Sequence, residues 1–333
     1  RYWRDWSSDV CSSDLLVLNG KKAGRDDVRA AVAAVRRAGH DIQVRVTWER
    51  GDAERLVGEA VAAAADRIVA GGGDGSVNEL ANGLMKVGAE IRPAMGILPL
   101  GTANDFATAC KVPMEAEAAL RLAVTGDPVP VDLGRADGHH FVNVASGGFG
   151  AAITAETPVE LKNFLGGGAY TIMGLVKAID FRPYACTVTT PEGAVPGQFV
   201  VAAICNGRQA GGGQQLAPDA VIDDGLLDVV FLRPFAVAAA PQVAAEILQG
   251  RGDGEYAVRR RLPWIDVAAE GPIPINLDGE PIAAQRIQFA VVPGCLRLVL
   301  PPGCPCLADS AAAQTPASRP AVPFGRPPRY PRA

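Results

Sequence analysis

One glycine-rich segment, residues 71–79 with the sequence GGGDGSVNE, constrains the fold of this chain more than any other feature. The apolar run before it, residues 67–70, is typical of a strand, and apolar residues recur after it at helical spacing, at Val77, Leu80 and Leu84. The glycines therefore stand where a strand turns into a helix, and they let a ligand approach bare backbone closely. The free N–H groups and the positive dipole end of such a helix suit a phosphate group.

Asp74 is unusual in an anion-binding turn because a carboxylate repels phosphate. Its presence makes sense if a divalent cation bridges the two groups, or if Asp74 handles a proton or a ribose hydroxyl. The simpler interpretation is a glycine-rich turn in which Asp74 caps the helix. Neither a Walker P-loop nor a G-x-G-x-x-G fingerprint matches these residues, so the segment is predicted to be a different kind of nucleotide loop.

Composition bounds the class of protein. The 333 residues suffice for two domains, and the net charge of -4 argues against nucleic acid as the main partner. The seven cysteines show no C-x-x-C spacing, which predicts neither a zinc site nor a disulfide framework and favours a reducing cytoplasm. Cys304 and Cys306 form an isolated C-x-C, and two ligands do not make a structural zinc site. No apolar stretch reaches the roughly 20 residues that a membrane span requires.

The first third of the chain alternates strand and helix in the order β-α-β-α-β, which predicts a parallel sheet covered on both faces. Ligands of such sheets bind beyond the carboxyl ends of the strands. Three polar turns follow predicted strands: Thr47, the 71–79 loop, and the Gly101–Asp105 turn. Their convergence on one edge is a stronger signal than any of them alone.

Beyond Pro128 the pattern changes to short strand-like runs separated by turns, which predicts a mostly antiparallel β domain. We expect an α/β domain at 16–135 and a β domain at 136–307. Residues 1–15 do not resemble the rest of the chain and are set aside as a non-native segment, whereas 308–333 are expected to be disordered. The predicted strands of the second domain are 141–144, 185–190, 199–204, 226–232, 264–268, 275–277, 286–292 and 296–300, with helices at 164–179 and 236–248.

Six separated motifs resemble the diacylglycerol kinase catalytic-domain superfamily, and several of them resemble the YegS-type bacterial lipid kinases in particular. The likeness extends from about Leu16 to Leu307. One departure is Ser76, where Thr is usual, and the hydroxyl is kept. The matching segments are GGDGSVNE at 72–79, PLGTANDFA at 99–107, VRVTWE at 44–49, NGRQAGGGQQ at 206–215, DGLL at 224–227 and NLDGEP at 276–281.

The resemblance implies a parallel-sheet α/β nucleotide domain followed by an antiparallel β-sandwich, with ATP in the cleft between them and a late strand returning to the first domain. Glu280 would accept the proton of the lipid hydroxyl. A Mg²⁺ ion, or Ca²⁺, would be held by Asp224 and the backbone carbonyls of Val221 and Leu226, away from the phosphate chemistry. The residues implied to hold ATP are Thr47, Gly73, Asp74, Gly75, Ser76, Val77, Asn78, Glu79 and Thr102.

Phosphoryl transfer needs positioning and charge neutralisation more than covalent chemistry. Backbone N–H groups of the 71–75 loop and of the 101–104 turn can cradle phosphates, and Ser76 and Thr102 can add hydroxyl donors. Asp74 can orient a catalytic Mg²⁺, a hard cation that prefers carboxylate and phosphate oxygens. Asp74 is therefore a catalytic candidate together with Glu280.

Each of these assignments has a plainer structural alternative. The Asp278-Gly279-Glu280 turn is equally a D-G hairpin with two solvated acids, whereas a general base in this position would be worth about 10²–10⁴-fold in rate. The acidic segment 219–228 is equally a solvated loop. The glycines of 211–213 either form a flexible loop or face a ligand.

The sequence thus predicts an ATP- and Mg²⁺-dependent lipid kinase that phosphorylates a hydroxyl of a membrane lipid, phosphatidylglycerol or diacylglycerol, in phospholipid biosynthesis. We expect it in the cytoplasm, peripheral to the inner face of the membrane. One alternative is a kinase similar to NAD kinases, which share the G-G-D-G loop. Another is a nucleotide-binding regulator without turnover. The acceptor lipid and the oligomeric state are left open, because acyl-chain grooves leave no short motif.

Overall fold

The first part of the chain forms the predicted parallel α/β unit. The computed structural model describes residues 14–148, 183–249 and 252–308. Four parallel strands lie in the order β4-β3-β1-β2, and β1 begins at Asp14, within the segment set aside as non-native. The elements are β1 (Asp14–Asn19), α1 (Asp26–Arg37), β2 (Ile42–Thr47), α2 (Asp52–Ala62), β3 (Arg67–Gly72), α3 (Asp74–Met85), β4 (Ala94–Pro99), α4 (Asp105–Ala109) and α5 (Ala116–Thr125).

Apolar periodicity explains this unit. All six residues of β4 are buried, as expected for a central strand covered on both faces. Helix α1 buries Val28, Ala31, Val32 and Val35, which share one face of the helix. Helices α1 and α5 pack together on one side of the sheet, and α2 and α3 pack together on the other.

The remainder of the described chain is mostly antiparallel strand. Its core contains Phe141, Phe199, Phe231 and Phe289. Among the described residues, no helix combines the length and the apolar composition that crossing a membrane requires. The elements are β5 (Pro128–Ala136), β6 (His139–Phe141), β7 (Val144–Gly148), β8 (Tyr184–Thr190), β9 (Gly193–Phe199), β10 (Val201–Cys205), β11 (Gln209–Ala210), β12 (Gln214–Gln215), β13 (Leu227–Leu232), α6 (Ala240–Gln249), β14 (Ala257–Leu262), β15 (Trp264–Leu277) and β16 (Glu280–Val299).

Two long strands replace four predicted short ones. The sequence predicted breaks near Gly271-Pro272 and Pro293-Gly294, but β15 and β16 continue through these residues. The pairing register shifts between Ala268 and Ile273 and again between Val292 and Leu296, so bulges accommodate the prolines and glycines. Strands β5, β9, β11, β12 and β14 were not predicted; β9 is rich in Gly and exposed residues, and β14 carries three consecutive arginines. The predicted strand 141–144 is wrong, because β6 ends at Phe141 and β7 begins at Val144, and the N–H groups of residues 142–144 donate to the Asp278 carboxylate.

Some predictions fall outside the described residues. They are the helix at 164–179, all but the last two residues of segment 1–15, and the tail beyond residue 308. The predicted helix at 236–248 is present as a short 3-10 turn followed by α6.

Strand β16 joins the two halves of the molecule. The end of β16 lies parallel to β4, with Leu298 opposite Met95, and its second half, residues 289–299, pairs antiparallel with β5. Leu296, Leu298 and Leu300 belong to the core of the α/β unit. The late strand that the resemblance implied is therefore present, and it fixes the β15–β16 hairpin relative to the parallel strands.

Candidate active site

The polar turns converge on one edge of the parallel sheet, as the sequence predicted. Asn19 pairs with Thr47 at the ends of β1 and β2, and Gly72 pairs with Pro99 at the ends of β3 and β4. Because all four strands run in the same direction, the loops that follow them lie side by side. This is the edge at which open α/β sheets bind ligands.

Two of these loops approach each other backbone to backbone. The Leu100 N–H donates to the Gly72 carbonyl at 2.7 Å. A Cβ atom added at Gly101 would lie 2.5 Å from the Gly73 Cα, and one added at Gly73 would lie 3.1 Å from the Gly101 Cα. Since neither backbone can yield as a flexible side chain would, only glycine fits at Gly101. The two loops form one continuous backbone surface.

The start of α3 offers donors to an anion. Gly73 precedes the helix in an extended conformation, and the first-turn N–H groups of a helix have no intrahelical partners. Gly75 and Thr102 are exposed, and the Ser76 hydroxyl accepts a hydrogen bond from the Asn19 amide at 3.4 Å. The predicted phosphate donors Gly75 and Thr102 are therefore accessible at this edge of the sheet.

Asp74 caps a helix, but a different one from the helix it begins. Its carboxylate accepts the N–H groups of Asp105 and Phe106, both at 3.0 Å. These are the first residues of α4. The N-cap residue of α4, Asn104, makes no capping hydrogen bond with its side chain, so Asp74 supplies the missing acceptor. Each carboxylate oxygen keeps a second lone pair for a proton, a cation or a ribose hydroxyl.

The turn before α4 is closed on itself. Asn104 adopts a left-handed backbone with φ 50°, and its side-chain amide accepts the Gly101 N–H at 2.8 Å and donates to the Gly101 carbonyl at 3.0 Å. The Gly101 N–H is therefore occupied within the turn. The prediction that the whole 101–104 turn donates to phosphate is therefore wrong for Gly101. The N–H groups that can still donate to phosphate begin at Thr102.

Asp105 holds the second glycine loop. Its buried carboxylate accepts the N–H groups of Gly213 at 2.7 Å and Gly212 at 2.9 Å, and it lies 3.4 Å from the Gln209 amide. Burial raises the pKa of Asp105, the Gly212 hydrogen bond lowers it, and the negative charge of Asp74 raises it. The glycines are thus docked against α4. Asp105 lies within one of the matching motifs, but no role was predicted for it.

The Asp278-Gly279 turn separates Asp278 from Glu280, and the alternative of a hairpin with two solvated acids is wrong for Asp278. Both turn residues have positive φ, 48° and 104°, as a two-residue hairpin requires. The Asp278 carboxylate turns inward and accepts the N–H groups of Val142 at 2.6 Å, Val144 at 2.7 Å and Asn143 at 3.1 Å. Burial raises the pKa of Asp278 to about 6 against these hydrogen bonds, and the charge of Asp74 raises it further.

Glu280, at the start of β16, faces the α/β unit across the space between the β15–β16 hairpin and the loops that follow β2 and β3, which we call the cleft. Its side chain is 53% exposed, and its carboxylate lies 3.0 Å from the Arg50 guanidinium. Burial and the charge of Glu280 raise the pKa of Glu79, whereas Arg50 lowers it. Three groups from three separate elements therefore share one electrostatic environment. Arg50 was not predicted as a site residue. The one sequence feature that could have indicated it is its position just beyond the carboxyl end of β2.

Asp52 fixes the turn that carries Arg50. The Asp52 carboxylate accepts the N–H groups of Trp48 at 2.6 Å and Glu49 at 3.0 Å, and Arg55 donates to it at 2.8 Å. The Trp48 hydrogen bond, followed by the one from Glu49, lowers the pKa of Asp52 to about 2. The turn is thus held by a carboxylate that is ionised throughout the physiological pH range.

Not all predicted ATP residues present their side chains to the cleft. Val77 and Asn78 are buried, and the Asn78 amide oxygen accepts from Asn82 at 3.0 Å. Asn82 also donates to the His140 carbonyl at 2.8 Å and thereby links α3 to β6. The Thr47 hydroxyl lies 3.5 Å from the Leu18 carbonyl. Val77 and Asn78 therefore support the loop from behind.

The predicted metal ligands lie in the loop before β13. The Asp224 carboxylate accepts the Leu226 N–H at 3.0 Å and contacts the Arg261 guanidinium. Burial raises the pKa of Asp224, Arg261 lowers it, and the charge of Asp132 raises it. Val221 and Leu226 precede and follow Asp224 in this loop, and a carboxylate with backbone carbonyls is the kind of ligand set that a hard cation accepts. A bound cation would take the place of Arg261 as the positive partner of Asp224.

Comparison with known proteins places this geometry in a family. Residues 14–136 match the diacylglycerol kinase catalytic domain, and residues 143–300 match the YegS C-terminal domain, described as NAD kinase beta sandwich-like. A probable lipid kinase YegS-like of Shewanella frigidimarina is 48% identical over 296 residues, which is 89% of this chain and 96% of that protein. Another, from Chromohalobacter salexigens, is 47% identical over 289 residues, 86% of this chain and 93% of that protein.

A solved structure shares the fold. The crystal structure of a diacylglycerol kinase from Bacillus anthracis superposes with a TM-score of 0.69 at 23% sequence identity. The match covers 88% of this chain and 98% of that one. The fold of both halves of the molecule therefore has a counterpart of known architecture.

Proposed function

The chain belongs to the YegS-like lipid kinases of the diacylglycerol kinase family, and from this premise we propose that it transfers the γ-phosphate of ATP to a hydroxyl of a membrane lipid, phosphatidylglycerol or diacylglycerol. One observation carries the proposal. The carboxylate of Glu280, on the β15–β16 hairpin, lies 3.0 Å from the guanidinium of Arg50, which follows β2 in the α/β unit, and its charge acts on Glu79 of α3. A carboxylate of the β unit thus faces the glycine loop of the α/β unit across one cleft.

The α/β side of the cleft positions ATP. The first turn of α3, from Asp74 to Ser76, presents N–H groups and the positive end of the helix dipole to the phosphates. The backbone contact between Gly73 and Gly101 brings Thr102 beside this turn. This arrangement supports phosphate positioning, which is the main protein contribution to phosphoryl transfer.

Glu280 serves as the general base. It is half exposed, so a lipid hydroxyl can reach it, and it is carried on a hairpin that Asp278 anchors to residues 142–144. Glu280 removes the hydroxyl proton as the oxygen attacks the γ-phosphorus, and the bond from this phosphorus to the bridging oxygen breaks so that ADP leaves. The Arg50 guanidinium, 91% exposed, donates to Glu280 at 3.0 Å, and in the transition state it would turn to the transferring phosphate and neutralise negative charge there. Asp74, on the α/β side of the cleft, assists the transfer by contacting ATP directly or by orienting a Mg²⁺ ion bound to its phosphates.

A Mg²⁺ or Ca²⁺ ion is proposed at Asp224 and the carbonyls of Val221 and Leu226. When bound, such an ion neutralises the acidic segment and orders the loop. The Arg261 guanidinium already pairs with Asp224, so a cation must compete with Arg261 for this carboxylate. Arg261→Ala should strengthen Mg²⁺ binding measured by calorimetry in the absence of ATP, and Asp224→Asn should abolish it. Absence of binding heat in both the unmodified chain and Arg261→Ala, or unchanged binding in Asp224→Asn, would contradict the site.

The lipid is proposed to enter from a membrane surface against which the rim of the cleft lies. Trp48 is 92% exposed and stands two residues from Arg50, just beyond the end of β2. An exposed indole beside basic residues suits the headgroup region of a bilayer. Trp48→Ala should weaken cosedimentation with phosphatidylglycerol vesicles several-fold. Equal sedimentation of both proteins would contradict this contact.

The function is tested with a lipid substrate panel. The full chain is incubated with γ-labelled ATP and Mg²⁺ and with vesicles that contain phosphatidylglycerol, diacylglycerol or a sphingoid base, and products are identified by lipid mass spectrometry. A labelled phosphatidylglycerol or diacylglycerol supports the proposal. Label on NAD instead, in a parallel reaction without lipid, would indicate a kinase similar to NAD kinases. No labelled acceptor would leave only nucleotide binding and would contradict lipid phosphorylation.

A further inference from the structure

A cluster of three cysteines lies outside the cleft. Cys110 directly follows α4, and Cys304 and Cys306 lie beyond the end of β16. The three Sγ atoms all lie within 4.8 Å of one another, and each residue is at most 1% exposed. The sequence predicted no zinc site because the C-x-C pair supplies two ligands. The fold supplies a third from a distant part of the chain.

Neither apolar packing nor a disulfide accounts for three cysteine sulfurs gathered at one point. Buried cysteines often serve as small apolar side chains, and a disulfide would use two of the three. With Zn–S bonds of about 2.3 Å, the sulfurs of a tetrahedral site lie about 3.8 Å apart, so a movement of about 1 Å completes the geometry. Across residues 14–148, 183–249 and 252–308, this is the one group of three or more His, Cys, Asp or Glu side chains with such close ligand atoms.

Charge and neighbouring polar atoms also suit a divalent ion. Three thiolates around one divalent ion carry a net charge of about -1, which needs a nearby positive group in a buried site. The Arg208 guanidinium donates to the Pro305 carbonyl, between the two cysteines, and to the Ala220 carbonyl at 2.8 Å. The Ala109 carbonyl oxygen lies 3.3 Å from the Cys306 Sγ and is near enough to act as the fourth ligand of a tetrahedral ion.

We propose that Cys110, Cys304 and Cys306 bind one zinc ion that fastens the C-terminal end of the described chain to the end of α4. Thiolates favour soft or borderline metals over Mg²⁺ or Ca²⁺. Zinc leaves a charge that one guanidinium balances, whereas copper(I) would leave twice as much. Because Asp74 caps the other end of α4, the ion stiffens a helix that borders the cleft. Binding releases thiol protons, so the affinity rises with pH.

The test uses the full chain and does not depend on kinase activity. The protein is purified under reducing conditions, stripped with a chelator, and reloaded with Zn²⁺ alone or Cu⁺ alone before gel filtration and metal analysis. Cys110→Ser and Cys304→Ser probe the cluster from its two sides, and Cys295→Ser, at a cysteine outside the cluster, is the matched control. Cd²⁺ is added to the unmodified apoprotein, where thiolate coordination gives an ultraviolet charge-transfer band.

We expect one zinc per chain in the unmodified protein and in Cys295→Ser, with at least tenfold weaker retention in both cluster variants. Zinc should raise the melting temperature of the unmodified apoprotein by several degrees. The cadmium band and this thermal shift need no variant, so a cluster variant that fails to fold does not block the test. A zinc content no higher than in the cluster variants, retention of Cu⁺ in preference to Zn²⁺, or a disulfide within the cluster of the freshly isolated protein would each overturn the proposal.

Discussion

Asp278 and Glu280 are separated by one glycine but lie in opposite environments. The hairpin directs Asp278 toward the N–H groups of residues 142–144 and leaves Glu280 half exposed at the cleft. Side chains alternate across a strand, but a positive-φ turn breaks that alternation and sets each direction separately. One acid therefore anchors the hairpin, and the other is accessible to a substrate.

Replacing Glu280 tests the general base. Glu280→Gln keeps the shape and polarity of the side chain but cannot take a proton, so kcat with the acceptor lipid should fall by about 10²–10⁴-fold. ATP affinity, measured by calorimetry, should change little. Glu90→Gln, at an exposed acid outside the cleft, should leave kcat unaltered. Normal turnover in Glu280→Gln would remove Glu280 from the mechanism.

The buried carboxyl of Asp278 predicts a pH dependence of stability. Its pKa rises from 3.8 in the unfolded chain to about 6 in the folded one, chiefly through burial. The folded state therefore binds the proton more tightly, and this contribution, complete below about pH 4, is lost as pH rises through about 6. Relative to Asp278→Asn, the unmodified chain should lose up to ~3 kcal/mol of unfolding free energy between those values, at about 1.4 kcal/mol per pKa unit.

Chemical denaturation from pH 4 to pH 7 measures this difference. Asp127→Asn, which replaces an exposed acid, supplies the background pH dependence. A constant gap between Asp278→Asn and the unmodified chain over this pH range would show that Asp278 titrates normally.

At the scale of elements, the five-residue helix α4 connects several parts of the site. Its first N–H groups donate to Asp74, its first carboxylate holds Gly212 and Gly213, and its end leads into Cys110. So short a helix gains little from its own hydrogen bonds, because nucleation is costly. The stability of α4 therefore depends on the neighbouring loops, and a structural change in one of these loops should be transmitted through α4 to the others.

The contact between the two glycine loops makes a prediction about Gly101. The Cβ of Gly101→Ala would meet the Gly73 Cα at 2.5 Å, and relieving that overlap separates the loops. We expect a loss of about 1–3 kcal/mol of stability and a weakening of ATP binding by tenfold or more. Denaturant titration and calorimetry provide the two readouts.

Gly58→Ala is the matched control for this prediction. A Cβ at Gly58 meets nothing within 4 Å, and the residue lies in the middle of α2. This variant should gain up to about 1 kcal/mol from helix propensity without affecting ATP. If Gly101→Ala behaved in the same way, the close approach of the loops would be unimportant.

At the scale of the whole molecule, β16 makes the two halves interdependent. Leu296, Leu298 and Leu300 are buried in the core of the α/β unit although they come from the far end of the described chain. The same strand begins at Glu280 on the other side of the cleft. The geometry of the site is thus coupled directly to the packing of the first domain.

Two truncations test this dependence. A chain that ends at residue 292 loses three buried leucines, each worth about 2–5 kcal/mol, and their sum is comparable to a total stability of about 5–15 kcal/mol. It should show no cooperative thermal unfolding. A chain that ends at residue 308 should melt and turn over like the unmodified protein, as the composition of the tail predicts. Cooperative unfolding of the shorter chain would show that the α/β unit folds without β16.

The sequence by itself determined the order of strands and helices in the first domain and the edge at which its loops meet. These features depend on apolar periodicity and glycine turns, which are encoded within about ten neighbouring residues. It also identified Glu280 and the glycine loop through motifs. It failed at β15 and β16, because a bulge in a paired strand tolerates the Pro and Gly that normally end one.

Only the tertiary structure decided which polar groups have protein partners. It assigned Asp74 to the start of α4, Asp105 to the second glycine loop, Arg50 to Glu280, and Cys110 to the C-x-C pair. The physical reason is that burial and hydrogen bonding depend on groups brought together from distant parts of the chain. A residue type and its local spacing define the chemistry that a side chain offers, and the packing around it decides whether that chemistry supports the fold or faces a ligand.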